Sequence, residues 1–325
     1  MLKRFLAVGA VIVAVGAVVS AGLYVRISRP IFVEKKEVHL EKGMRLKGIA
    51  QLLAGEGVLE EPLLFMLYAT LRGEASSLQA GDYRFEGTLS IPAIVERLVR
   101  GDVLLFSARI VEGWTYHDIA KYMASQNFVE GPHFEETFSK LCETQIAPTC
   151  EGYLFPDTYK VSSRVSADDF FHLQVHKFFE VYTAAVESKA KAIGWDMKSV
   201  VTLASLIEKE TGAPEERAII SSVFHNRLQK GMLLQSDPTI IYGLKNFSGN
   251  IHKEDITNPH PYNTYVHAGL PPGPICSPGL ASLLAAVEPA KTDYLYFVSK
   301  NDGTHYFSST AAEHQKAVNQ YQHKL

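Results

Sequence analysis

VHLEKGMRLKGIAQLLAGEGVL (Val38–Leu59) and ARIVEGWTYHDIAKYMASQNFV (Ala108–Val129) read as two versions of one unit. Aligning Gly43 with Gly113 sets Ile49-Ala50 over Ile119-Ala120, Leu53 over Met123, and Val58 over Phe128 or Val129. Each version predicts a short strand, a glycine turn, and a helix whose apolar residues recur at steps of three and four. Between them the pattern predicts a helix over Pro62 to Leu71 and a strand over Ala80 to Phe85. A second helix follows over Ile91 to Val99, stopped at Gly101. Strands and helices mixed in this way make the fold class α+β. Residues 38–107 therefore form a small α+β subdomain, either a glycan-binding LysM-like module or a structural spacer.

Toward the N-terminus, every residue from Phe5 to Val25 is uncharged and nearly all are apolar, with Lys3 and Arg4 before the run and Arg26 and Arg29 after it. About 20 helical residues at ~1.5 Å rise match the ~30 Å hydrocarbon core of a bilayer. A cleaved signal peptide has a shorter apolar region of ~7–15 residues and a small-x-small cleavage site, so an uncleaved single-pass transmembrane helix is expected. Residues 1–27 are thus a cytoplasmic tail and anchor, and 28–37 (SRPIFVEKKE) a charged tether. Basic residues flank both ends, so the positive-inside count is nearly balanced; the simplest insertion keeps the short tail inside and puts the bulk of the chain outside the cytoplasm. The whole chain is 46% hydrophobic and 21% charged, as globular proteins are. Its formal net charge of -3 leaves no basic surface for a polyanion, which argues against a nucleic-acid partner. In an oxidising compartment Cys142 and Cys150 could close a short loop and leave Cys276 free; three unpaired thiols are the alternative. No C-x-x-C pair is present to suggest a zinc site.

Toward the C-terminus, residues 108–325 form a larger mixed α+β domain. Helical patterns run from Ala167 to Ala192, Lys198 to Thr211, and Glu215 to Gln229. Prolines and glycines then crowd the chain after Gly231, before a helix at Leu280 to Ala286, a strand at Tyr294 to Val298 and a final helix at Ala311 to Tyr321. The stretch VVTLASLIEKETG (Val200–Gly212) carries the chemistry. Its apolar residues fill a broad helical arc, and both Glu208 and Glu210 fall within that arc while Lys209 points away. A carboxyl on an apolar face is costly when charged, so its pKa rises toward the range a general acid needs at neutral pH. The alternative is a pair of rim glutamates neutralised by neighbours such as Arg217, and periodicity does not choose between the two carboxyls.

Several catalytic patterns are missing: no G-x-S-x-G, no H-E-x-x-H, no Walker loop and no G-x-G-x-x-G. His252, His260 and His267 are spaced too loosely for a metal cluster, so neither a metal nor a cofactor is expected. The amides and tyrosines of VFHNRL (Val223–Leu228), MLLQSDPTIIYG (Met232–Gly243) and PYNTYVHAGLPPGPICSPG (Pro261–Gly279) suit a sugar groove, and a protein-binding surface would be composed similarly.

Taken together these strings resemble the YceG-like family of endolytic murein transglycosylases. The resemblance rests on EKET at Glu208–Thr211, QSDPT at Gln235–Thr239 with IYG at Ile241–Gly243, YNTY at Tyr262–Tyr265, GLPPG at Gly269–Gly273, AKTDYLYF at Ala290–Phe297 and EGYLFPDTY at Glu151–Tyr159. It covers essentially the whole chain. It implies that Glu210, the second glutamate of its pair, is the catalytic acid/base and that Glu208 supports it. It implies cleavage of the β-1,4 bond between N-acetylmuramic acid and N-acetylglucosamine, leaving a 1,6-anhydro end. Peptidoglycan strands are then the substrate, the inner membrane the location, and peptidoglycan synthases or division proteins the expected partners. Glu151, Glu208, Asn226, Gln235, Asp237, Tyr262 and Asn263 are the residues expected to hold the glycan.

Overall fold

In the computed structural model residues 2–129, 131, 133–146, 149–210, 212–244 and 247–322 are described, with side chains from Ala14 onward. The chain divides into two compact units, the residues up to 106 with 160–163, and 107–159 with the residues from 164 onward.

The first unit runs α1 (Leu2–Ser28), β1 (Ile31–Leu40), α2 (Leu46–Gly55), α3 (Pro62–Leu71), β2 (Gly81–Leu89) and α4 (Ile91–Arg100). β1 and β2 pair antiparallel from Ile31 opposite Leu89 to Leu40 opposite Gly81. Val38, Leu40, Tyr83 and Phe85 of this ladder are buried with Ile49 and Leu53 of α2 and Ile94 and Leu98 of α4. Gly101 ends α4 in the left-handed conformation, φ 68°, as the sequence predicts. The tether expected at 28–37 is corrected here, since Ile31 to Glu37 lie inside β1. A register irregularity between Val33 and Lys36 breaks the alternation of inward and outward residues, so the exposed run Glu34–Glu37 looks like a linker in sequence. The apolar run Phe5–Val25 falls partly outside the described side chains. Its backbone is helical, and among the described residues no helix is long and apolar enough to cross a membrane.

Next come β3 (Leu105–Arg109), α5 (Tyr116–Ala124), α6 (Phe134–Thr144) and β4 (Thr158–Ser162), with β3 and β4 paired. This is the strand–helix–helix–strand order of β1 to β2 again, so the internal repeat extends well beyond Val129. The aligned pairs Ile49/Ile119, Ala50/Ala120, Leu53/Met123 and Val58/Phe128 are all buried, and Gly43 and Gly113 share a left-handed φ of 82° and 79°. Only glycine takes that conformation without strain. A disulfide joins Cys142 near the end of α6 to Cys150, and Cys276 is free and buried.

The rest of the second unit comprises α7 (Ala167–Ala185), α8 (Glu187–Ala192), α9 (Met197–Glu210), a 3-10 turn (Pro214–Glu216), α10 (Arg217–Gln229), α11 (Asp237–Gly243), α12 (Lys253–Ile256) and α13 (Leu280–Val287). It ends with β5 (Tyr296–Ser299), β6 (His305–Ser308) and α14 (Ala311–Tyr321). The single helix expected over 167–192 is interrupted at Val186, and the strand expected at 294–298 is one arm of an antiparallel hairpin whose other arm, β6, the sequence reading did not anticipate. α9 is the central element: every residue from Val200 to Ile207 is buried, packed by α10, α13 and Phe178 and Tyr182 of α7. The middle of the helix is thus enclosed on every side, and only its two ends reach solvent, Lys198 in the first turn and Lys209 in the last.

The loop before β4 is fixed against this helix through Gly152, at φ +83°. A Cβ there would lie 2.5 Å from Pro274 Cβ and 2.8 Å from Val201 Cγ1. Gly152→Ala is therefore expected to destabilise the protein by about 2–3 kcal/mol, through backbone strain and overpacking together, measured as a lowered denaturant midpoint with unchanged slope.

Candidate active site

The last turn of α9 sends its two glutamates to different environments. Glu208 is nearly buried; it accepts a hydrogen bond from Gly279 N at 2.9 Å and pairs with Arg217 at 3.5 Å. That is the neutralised arrangement weighed above for both residues, and it holds for this one. Lys209 is exposed, with Nζ 3.4 Å from Gly113 O. Glu210 is half-buried and opens into a cleft of about 410 Å³. Thr211 of the EKET string lies outside the described residues.

The cleft is lined by Glu210 and Arg227, by Leu234 and Gln235 from the segment leading into α11, by Asp237 at the start of that helix, and by Tyr265. Residues of β5, β6 and α14, among them Phe297, His305 and His314, close its far side. Ser236 Oγ donates to Glu210 Oε1 at 2.5 Å. Ser236 stands at the N-cap position of α11, where a serine normally bonds its own helix, and here its hydroxyl is turned to Glu210 instead. The segment is held in that pose by Thr264, which accepts from Ser236 N at 3.0 Å and whose carbonyl accepts from Gln235 N at 3.1 Å. Gln235 sits at φ +50°, a conformation that strains a non-glycine residue and persists only when its surroundings enforce it.

Burial pushes the Glu210 carboxyl up to about 7; the nearby Asp237 charge adds to this, while the Ser236 bond and the Arg227 guanidinium pull the other way. Its position at the C-terminal end of α9, where the helix dipole is negative, disfavours the carboxylate further. Arg227 is itself almost buried and fastens the cleft floor. Its Nε donates to Leu295 O at 2.6 Å, and its Nη1 donates to Leu234 O at 2.8 Å, Leu233 O at 3.1 Å and Gln235 Oε1 at 3.3 Å. The guanidinium lies 5.2 Å over the Tyr296 ring, which is also stacked with His314. Asp237 is engaged as well, its Oδ1 accepting from Tyr265 OH at 2.6 Å.

Of the residues singled out in the sequence, Glu210, Gln235 and Asp237 thus meet in one cleft. The other residues expected from the sequence do not line this cleft. Asn226 donates to Thr292 O and Tyr294 O, both at 2.9 Å, and fixes the segment before β5. Asn263 is buried, and its amide binds the carbonyls of Asp255, Ile256 and Asn258. Tyr262 packs its ring 4.8 Å from that of Tyr242. Glu151 is buried, accepts from Tyr116 N at 3.2 Å and Tyr242 OH at 3.3 Å, and is raised by burial to about 8. Ser236, Arg227, Tyr265, His305 and His314 also belong to the site, beyond the residues expected from the sequence. The first three stand inside or beside the quoted strings, but nothing in the sequence brings α14 to this site. Among the described residues no group of three or more His, Cys, Asp or Glu side chains is arranged to hold a metal.

Ser236→Ala removes the bond that favours the Glu210 carboxylate, so the Glu210 pKa should rise, carrying any activity limb that depends on it to higher pH. Loss of positioning should lower kcat by roughly 10-fold at fixed KM, the size of one charge-assisted hydrogen bond. A pH–rate profile with an unmoved limb would remove Ser236 from the site.

Residues 38–320 match the YceG-like family. The chain is 33% identical over 304 residues to the endolytic murein transglycosylase of Bacillus subtilis (strain 168), covering 87% of this chain and 84% of that protein. It is 29% identical over 320 residues to the endolytic murein transglycosylase of Streptococcus pneumoniae (strain ATCC BAA-255 / R6), covering 86% of this chain but only 57% of that longer protein. A solved structure of a YceG-like protein from Listeria monocytogenes superposes with a TM-score of 0.57 at 30% identity, covering 87% of this chain and 98% of that one. The chain belongs to the YceG-like family.

Proposed function

We propose that this chain is an endolytic murein transglycosylase that cleaves the β-1,4 bond between N-acetylmuramic acid and N-acetylglucosamine, with Glu210 as its catalytic acid/base. The observation that carries this reading is the half-buried Glu210 carboxyl, raised to about 7, facing a cleft while its neighbour Glu208 is neutralised by Arg217. The names of the relatives support the substrate and the reaction class.

In the first step protonated Glu210 gives its proton to the departing glycosidic oxygen. The carboxylate left behind then takes the proton of the sugar's 6-hydroxyl as that oxygen bonds C1, closing the 1,6-anhydro ring. The attack is intramolecular, which lowers the entropic barrier and removes the need for a second carboxylate as nucleophile or base. Asp237 is the other carboxyl of the cleft, and its bond to Tyr265 suits it to hold substrate or tune Glu210. Gln235, whose Oε1 accepts from Arg227, presents its amide N–H groups as the free donor end for a sugar hydroxyl or N-acetyl oxygen. A hydrolase with Asp237 as partner carboxylate is the competing reading. Mass spectrometry of peptidoglycan digested by the full chain separates the two, because anhydro ends are one water lighter than reducing ends. Reducing ends would overturn the transglycosylase reading.

The anchor belongs to the same proposal. The uncharged run Phe5–Val25 and the continuous helix Leu2–Ser28 support a single-pass attachment to the inner membrane, with the catalytic domain on the periplasmic side. The strand–helix–helix–strand order from β1 to β2 supports a LysM-like glycan-holding role for residues 38–107. Attached there, the enzyme would trim or terminate nascent strands close to their synthases.

A further inference from the structure

We propose that α3 is a second membrane contact, whose outer leucine ridge seats in the headgroup–acyl boundary of the bilayer that takes α1. The proposal rests on the anchor reading of α1 given above. PLLFMLYATL carries no charged residue, yet only Phe65 and Ala69 of it are buried. A surface helix of ordinary amphipathic design sets charged residues outward. α3 sets leucines there: Leu63 is 76% exposed, Leu67 38% and Leu71 75%. Spaced by four, they form one ridge about 12 Å long.

The location identifies the occupant. Arg26, in the last turn of α1, donates from Nε at 3.1 Å and from Nη2 at 2.5 Å to the carboxylate of Glu61, the residue before α3. The ridge therefore starts two residues from the point where the apolar helix ends. Val15, Val18, Val19 and Val25 of α1 are exposed too, as is Phe32 just beyond it, at 75%. Exposed Arg29 beside the junction suits an anionic headgroup, as a basic residue flanking an interfacial helix does, whereas exposed Arg72 at the far end of the ridge already pairs with Glu74 at 3.3 Å. A second copy of this chain is a poorer occupant. Three leucines along one short helix fall well short of the ~800 Å² per partner of a standard interface.

Single tryptophans in the full chain, reconstituted in vesicles containing anionic phospholipid, test this, with the signal of Trp114 and Trp195 subtracted using the unsubstituted protein. Leu67→Trp reports the ridge and Val18→Trp reports the anchor. The expected result is a blue-shifted Leu67→Trp emission quenched most by lipids brominated near the headgroup, because interfacial helices lie ~5–10 Å deep. Val18→Trp should be quenched most by deeper bromines. Quenching of Val18→Trp alone overturns the α3 contact and leaves the anchor standing, whereas quenching of neither overturns both. A Leu67→Trp blue shift that ignores bromine and grows with protein-to-lipid ratio assigns the ridge to a second copy, and the proposal falls.

Discussion

Glu210→Gln should lower peptidoglycan cleavage by about 10³–10⁴-fold, with substrate binding little changed, since the lost group is asked to act as acid and base in turn. Glutamine preserves the shape and still accepts from Ser236, so the loss would report proton transfer and not collapse of the cleft. Under the proposed mechanism the acid form is the reactive one, and a carboxyl at about 7 predicts activity that falls as pH rises through 7. The same shift has a stability consequence of fixed sign. The folded state keeps its proton to about 7 while the unfolded chain releases it near the ordinary glutamate value of 4.5. Between those values the unfolded state binds fewer protons, so this group's contribution to stability falls as pH rises through the window and levels off above it. Glu210→Gln should therefore be more stable than the parent at pH 8, by on the order of 1–2 kcal/mol after allowing for solvent screening, and equal to it below pH 4. Calorimetry at both pH values checks this. An inactive variant that gains nothing at pH 8 would mean that the Glu210 carboxyl is not held in a costly environment.

How much of this was legible in the sequence depends on the range over which each signal acts. α9 was legible because eight consecutive enclosed residues leave a local apolar run. The equivalence of Gly43 and Gly113 was legible because a left-handed turn demands the same residue twice. The choice between Glu208 and Glu210 was not legible from periodicity, since both lie within the same arc and their partners are remote: Arg217 and Gly279 for one, Ser236 for the other. The resemblance alone makes that choice; the geometry shows only that the two carboxyls sit in different environments. The first part of β1, Ile31–Glu37, reads as a tether because one irregularity disrupts its alternation, and β6 escapes notice because HYFS carries only two adjacent apolar side chains, where β5 lies in the longer apolar run YLYFV. Asn226, Tyr262 and Asn263 have the composition of sugar-binding residues yet bond or pack within the protein. An amide that satisfies backbone carbonyls leaves the same trace in sequence as one that meets a sugar hydroxyl.

Arg227 is where fold and site are most tightly joined, and its replacement should have the largest effect on stability. Arg227→Met keeps the apolar stem that crosses the interior but leaves the carbonyls of Leu234 and Leu295 without their donor in a buried setting. Stranding buried acceptors at this scale costs about 3–5 kcal/mol, where replacing an exposed arginine would cost almost nothing. Arg227→Lys should recover little, because one ammonium cannot reach carbonyls that the planar guanidinium serves from two nitrogens. The effect on chemistry has its own sign. Arg227 favours the Glu210 carboxylate, so without it the Glu210 pKa should rise and the alkaline limb of activity should move above 7 in whatever fraction remains folded. Denaturant unfolding gives the first quantity and a pH–rate profile the second. An arginine that only braced the fold would lower stability and leave the limb where it was. One that also sets the charge on Glu210 must move both, because the nitrogen that holds Leu234 O also holds Gln235, next to the serine bonded to Glu210.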